Sequence, residues 1–301
     1  MPRFIILSLL LLCAGFLPAN ADDRDVVPVL RIGLLESHPA TADPVKIRTI
    51  EQAYEKAIDL PVEIVRFPDL AALIDAHASA RVQYAIHTAL SFATTQAVCD
   101  CVKPLRRALG ADGRTGFRSV LALRPHIEQA DARVAFSSRN SLSGWVIPRE
   151  AVDSGALTVG ELVPAGSVRA AVDMLVAGEA DGVMAWLPEG GTDTAAALPE
   201  RLFGGLYEED LAKTDELRIA WLSDPVYNGP HAILRSLPDE LVEKLGRFLD
   251  GVPDGQPGLL DILEPYESGG YGPAAEAEYR GLERVSKRLR EDAPAITGAT
   301  P

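Results

Sequence analysis

Between Val29 and Ile86 the chain alternates short apolar runs with amphipathic ones in a fixed order, and that order confines it to few folds. Val29–Leu35 is apolar apart from Arg31 and Gly33. From Pro44 to Ala57, Val45, Ile47, Ile50, Ala53, Tyr54 and Ala57 recur at helical spacing. Val62–Phe67 sets Val62, Ile64 and Phe67 against Glu63 and Arg66, the two-residue period of a strand. Asp69 then offers a helix N-cap ahead of Leu70, Leu73, Ile74 and His77, and Val82–Ile86 closes the series. Strand, helix, strand, helix, strand predicts a mostly parallel sheet flanked by helices.

The rest of the chain repeats this logic. Ser91–Val98 reads as a helix and Arg118–Leu123 as a strand. Arg133–Phe136 predicts a strand, a helix starts between Asn140 and Ser154, and Ser167–Ala177 is helical with Gly178 as its stop. Gly182–Trp186 and Leu217–Leu222 read as strands. Pro238–Leu249 is an amphipathic helix ended by Gly251, followed by a loop rich in Pro and Gly and a last helix from Ala274 to Arg290. The fold class expected is α/β: a two-lobed clamp, each lobe a mostly parallel sheet flanked by helices, joined by two hinge strands, Arg118–Arg124 and Arg218–Ser223. On this division residues 1–21 are a signal peptide, 22–123 the first part of lobe 1, 124–223 lobe 2, 224–290 the return to lobe 1 with a C-terminal helix, and 291–301 a flexible tail. A single doubly wound domain is the other arrangement the pattern permits.

Arg3, the apolar stretch Phe4–Leu17 and Ala19-Asn20-Ala21 form an export signal, with cleavage expected after Ala21 and a periplasmic destination. Leu12 before Cys13 argues against a lipoprotein. A formal net charge of −14 excludes nucleic acid as a partner, because phosphate backbones need a basic face. A small anion stays open, since a pocket can bind one through local dipoles. Cys99 and Cys101 have no zinc-ligand neighbours and are either two free thiols or a disulfide across one residue. No cofactor or metal is expected.

Catalytic constellations are absent: there is no G-x-S-x-G elbow, no H-E-x-x-H and no phosphate-binding loop. The pattern favours a binding protein over an enzyme. Ser137-Ser138-Arg139-Asn140-Ser141-Leu142-Ser143-Gly144 follows a strand and opens a helix, where backbone N–H groups and hydroxyls suit an anion; ordinary helix capping explains the same residues. Glu36-Ser37 and His87-Thr88 each follow a first-lobe strand, where open α/β sheets bind ligands, and Trp186 ends another strand.

Four segments in order, Ala111-Asp112-Gly113-Arg114-Thr115-Gly116-Phe117-Arg118-Ser119-Val120-Leu121, Ser141-Leu142-Ser143-Gly144, Ala177-Gly178-Glu179-Ala180-Asp181 and Gly229-Pro230-His231, resemble the phosphonate/phosphite/phosphate-binding periplasmic proteins of ABC importers. Cys99-Asp100-Cys101-Val102-Lys103-Pro104-Leu105 is similar to a stretch in one branch of that family. The resemblance implies a type II clamp that closes over its ligand and docks on a membrane permease. It implies that Ser141, Ser143 and Gly144 hold the anion's oxygens, with Leu142 in place of a frequent Thr. It sets His87 where Tyr is common, and His231 in the family's Gly-Pro-His element. Leu70, Val168 and Trp186 replace a Tyr, a His and an Asp or Asn, so three polar contacts are exchanged for an aromatic wall and an aminoalkylphosphonate is disfavoured. The function expected is capture of a small anion for import by a monomer. A sensor presenting ligand occupancy to a membrane kinase would share the clamp.

Overall fold

The computed structural model describes residues 27–139, 141–189, 198–214, 216–282 and 285–286. The expected signal peptide, residues 1–21, and the expected tail, residues 291–301, lie outside them. In chain order the elements are β1 (Leu30–Leu35), α1 (Pro44–Ile58), β2 (Val62–Phe67), α2 (Leu70–Ala78), β3 (Tyr84–Ile86), α3 (Ala89–Cys99) and β4 (Val102–Ala108). They continue with β5 (Gly116–Leu123), β6 (Arg133–Phe136), a π-helical turn (Leu142–Val146), α4 (Ile147–Asp153), β7 (Glu161–Pro164), α5 (Val168–Val176) and β8 (Gly182–Pro188). Two short helices, α6 (Leu198–Arg201) and α7 (Glu208–Leu211), lead to β9 (Arg218–Leu222), β10 (Val226–Tyr227), β11 (Pro230–Leu234), α8 (Asp239–Gly255), α9 (Pro257–Leu263) and β12 (Tyr271–Gly272).

Two sheets result. The first runs β12-β4-β11-β3-β1-β2 and the second β10-β5-β8-β6-β7, with β9 also on β5. Each contains a parallel trio, β2-β1-β3 as expected in one and β7-β6-β8 in the other, where β7 had no counterpart in the sequence reading. Each is then completed by antiparallel strands, beginning with β11 beside β3 and β5 beside β8, so the sheets are mixed rather than mostly parallel. The strands expected as hinges do not cross between lobes: β5 and β9 pair with each other inside the second sheet. The chain passes between sheets in residues 109–115 and again at Asn228-Gly229, where the Asn228 N–H donates to the Thr115 carbonyl (2.8 Å) and its side chain to that of Ala108 (3.0 Å).

Local rules explain most elements. Asp43 caps α1 by accepting from Val45 N–H, Pro44 occupies the first turn, and Ile50, Tyr54 and Ile58 recur every fourth residue on the buried face. α8 buries Leu241, Leu245, Leu249 and Val252. It runs past the expected stop at Gly251 because Val252 extends the buried stripe, which outweighs a glycine cost of about 1 kcal/mol. The Pro/Gly-rich segment behind it forms α9, with Pro257 at its start and Leu259, Leu260 and Leu263 buried. Of the expected last helix, the first part forms two 3-10 turns at Glu276–Glu278 and Arg280–Leu282, and Val285 and Ser286 are helical. A disulfide joins Cys99 to Cys101, tying the end of α3 to the start of β4.

Packing follows the layers. One face of the first sheet meets α1, α8 and α9 in the largest apolar cluster, and Leu73, Ala76, Val82 and Ala85 fill the other. Two smaller clusters cover the faces of the second sheet. Val146 and Val226, both from second-lobe segments, belong to the first lobe's cluster, so the lobes share apolar contact beside the crossings.

Candidate functional site

β6 delivers the serine-rich segment to the interface. The Ser141 hydroxyl accepts from the Gly144 N–H (3.0 Å), the N–H groups of Trp145 and Val146 both reach the Ser141 carbonyl (3.0 Å each), and a π-helical turn results. Such turns gather at functional sites because they reshape a helix locally. Gly144 is required there: a Cβ would stand 2.9 Å from the hydroxyls of both Ser137 and Ser141. Trp145 stacks on Phe136 at 4.6 Å between ring centroids, fixing the turn to its strand. The Ser119 hydroxyl donates to the Ser143 carbonyl (2.6 Å), which holds the turn against β5.

Beside this turn a cavity of about 720 Å³ opens between the lobes. Gly110, Arg114, Gly116, Phe117 and Asn228 line it from the two crossings and their flanks. Leu142, Ser143, Trp186, Pro188, Arg201 and Gly204 form its second-lobe wall, and Tyr266, Glu267 and Ser268 face it from the loop after α9. Trp186 is half-buried, with Phe117 edge-on at 6.4 Å. A Cβ on Gly204 would lie 2.5 Å from the indole Cη2, and both Gly204 (φ 67°) and Phe203 (φ 54°) are left-handed. Arg114 is paired with Asp112 at 2.5 Å. The Glu267 carboxyl is raised above the usual carboxylate range, chiefly by burial and then by Glu264, with Arg114 opposing.

Of the residues expected to contact a ligand, Ser143 and Trp186 line this cavity, and Ser141 and Gly144 shape the turn that presents Ser143. Glu36 and Ser37 are exposed at the end of β1 and do not line it. Thr88 is exposed and caps α3 in a reciprocal box, its hydroxyl accepting from Ser91 N–H. His87 is buried instead of facing the cavity, because both ring nitrogens are taken: Nε2 meets His77 Nδ1 at 2.9 Å and Nδ1 meets Ser91 Oγ at 3.0 Å. Burial holds His77 down to about 4 and His87 well below the ordinary histidine value, so both rings are neutral at pH 7.

His231 is likewise interior, since β11 lies between β3 and β4 and encloses its side chain. Its ring joins Tyr84 Oη on one side and Glu264 Oε1 on the other, and Tyr84 Oη meets Tyr54 Oη at 2.9 Å. These four side chains form one buried hydrogen-bonded chain across the first lobe. Glu264 sits two residues before Tyr266, so the chain ends beside the cavity loop.

Sequence reasoning missed Arg114, Phe117, Asn228 and the 266–268 loop as cavity residues. Arg114 and Phe117 stand in the quoted motif Asp112-Gly113-Arg114-Thr115-Gly116-Phe117, which was the available signal. Tyr266 lies in a Pro/Gly-rich segment with no periodicity to mark it. Among the described residues no group of His, Cys, Asp or Glu is placed to hold a metal ion. Also among them, no helix is long and apolar enough to cross a membrane.

The geometry can therefore enclose a small molecule between two lobes, with hydroxyl, guanidinium and aromatic groups on its walls. Solved structures share this architecture. PhnD1 of Prochlorococcus marinus, in complex with methylphosphonate, superposes with a TM-score of 0.57 at 14% identity, covering 88% of this chain and 99% of that one. A Xanthomonas citri protein bound to ATP gives 0.61 at 16% identity over 88% and 98%. A binding protein component of an ABC phosphonate transporter from Pseudomonas aeruginosa gives 0.52 at 15% identity over 91% and 90%. At these identities the likeness speaks for the fold. No curated protein matches the sequence. The model of a family described as "ABC transporter, phosphonate, periplasmic substrate-binding protein" matches residues 47–279, which takes in the second sheet, the first sheet apart from β1, both crossings and the serine turn. That match spans most of the chain, and the chain belongs to the periplasmic substrate-binding proteins of the phosphonate ABC transporter family.

Proposed function

We propose that the mature chain, exported and cleaved after Ala21, acts as a monomer that captures a small oxyanion between its lobes and delivers it to a membrane permease. The observation that carries this is the interlobe cavity, lined by both lobes and by both crossings, with Ser143 and two arginines on its walls. A ligand held by both lobes stabilises the closed form by the difference in its affinity for the closed and open states. The crossings are suited to bending: each is short, and Gly110 and Gly113 (φ 80°) stand in the first. No covalent chemistry is involved.

The test is a thermal-shift series with phosphate, phosphite, methylphosphonate, sulfonates and small carboxylates. A ligand at a hundred times its Kd adds about 2.7 kcal/mol to folding stability. Ser143→Phe should fold normally and lose the shift. An undiminished shift in that variant would remove the serine turn from the site.

A further inference from the structure

We propose that the ligand is a tetrahedral oxyanion carrying an aromatic ring, and that Trp186 is the residue that selects the ring. This rests on oxyanion capture in the same cavity and adds the class of molecule that fits it. Three observations converge on it.

The first is size. A cavity of about 720 Å³ lies within the ~300–1,000 Å³ of pockets that enclose drug-sized ligands. A bare phosphate or methylphosphonate leaves most of such a space to water.

The second is the second-lobe wall. Trp186, Phe117, Leu142 and Pro188 place apolar surface side by side around Ser143. Trp186 is held for this role from two directions: Phe117 meets it edge-on, and the backbone at Phe203-Gly204 turns left-handed so that Gly204, lacking a Cβ, can seat the six-membered ring of the indole. A left-handed non-glycine residue costs free energy, and such strain persists where the surrounding structure requires it. The indole keeps partial exposure toward the cavity.

The third is Tyr266, an aromatic side chain 83% exposed that lines the cavity from the first-lobe loop after α9. A flat ring entering from solvent would meet aromatic surface from both lobes, Trp186 and Tyr266. Its charged end would meet Ser143 and the guanidinium groups of Arg201 and of Arg114, the latter already paired with Asp112.

Phenylphosphonate, phenyl phosphate and benzenesulfonate, each titrated against its methyl counterpart by calorimetry on the mature chain, test the inference and identify the head group. At least one aryl compound should bind tenfold or more tightly than its methyl partner, a difference of about 1.4 kcal/mol. Trp186→Ser should bring that ratio close to one, and Trp186→Phe should restore much of it. Equal or weaker aryl binding by the wild-type chain overturns the aromatic inference and leaves oxyanion capture standing. Binding of neither series overturns both. The wild-type ratio needs no variant, so misfolding of Trp186→Ser would not rescue the proposal.

Discussion

Acidification should destabilise this protein through one buried pair. His77 and His87 share a hydrogen bond in the first lobe, and burial lowers both, His77 to about 4. In the unfolded chain a histidine titrates near 6.5. Between that value and 4 the unfolded chain binds a proton at His77 that the folded one refuses, so stability is complete above 6.5 and falls as the pH drops through this window. His77 alone accounts for about 2 kcal/mol lost between pH 7 and pH 5, rising to about 3 kcal/mol below pH 4. His87 acts in the same direction. Urea unfolding at pH 7, 6 and 5, at constant ionic strength, measures the loss. His77→Gln keeps a hydrogen-bonding group beside His87 but removes one titration, so its loss over the same range should be smaller by about 2 kcal/mol. Equal losses in the two chains would show that the pair is charged or solvated in the folded state, against the burial argued here.

Two further changes probe the network and the aromatic wall. Tyr84→Phe removes the hydroxyl that links Tyr54 to His231, leaving buried groups unsatisfied at about 1–3 kcal/mol each, whereas Tyr54→Phe trims only the end of the chain; urea midpoints should order the variants accordingly, and the reverse order would refute a continuous chain. Gly204→Ala puts a Cβ in left-handed backbone, at about 1–2 kcal/mol, and against the indole; calorimetry should show a reduced aryl-to-methyl ratio with the serine turn intact, and an unchanged ratio would detach Gly204 from the placement of Trp186.

The parts of the fold legible in the sequence are those whose residues obey one local period. β2 alternates cleanly and its bounds are as expected; α1 and α2 carry their caps and stripes in the chain itself. β4 is the contrast. Lys103, Pro104, Arg106 and Arg107 hide it, and it forms because β11 and β12 pair with it from far along the chain. Inside the lobe Arg107 donates from Nε to the Pro273 carbonyl and from Nη2 to Glu278, its guanidinium lies 4.7 Å from the Tyr227 ring centre, and Nη1 is left without a hydrogen-bond partner among the described residues. No local pattern announces partners so distant. The site divides in the same way. Ser143, expected from the serine-rich helix start, and Trp186, expected at a strand end, both line the cavity, although β8 continues past Trp186 to Pro188. The strand-end rule selected His87 and the resemblance selected His231, but tertiary partners drew both inward. Tyr266 and Glu267 reach the cavity through a loop that belongs to neither sheet.

The two crossings have a consequence for how the chain is made. Gly116 and Tyr227, at the two ends of the second lobe, are direct partners in its sheet, so that lobe begins and ends at one place. All its strands exist once residue 227 has been synthesised. The first lobe must wait, because β11 supplies the strand between β3 and β4, and β4 has its other partner, β12, later still. Residues 30–108, though made first, complete their sheet last. The internal lobe is thus a unit that can acquire its fold while the lobe around it is still missing its central strand.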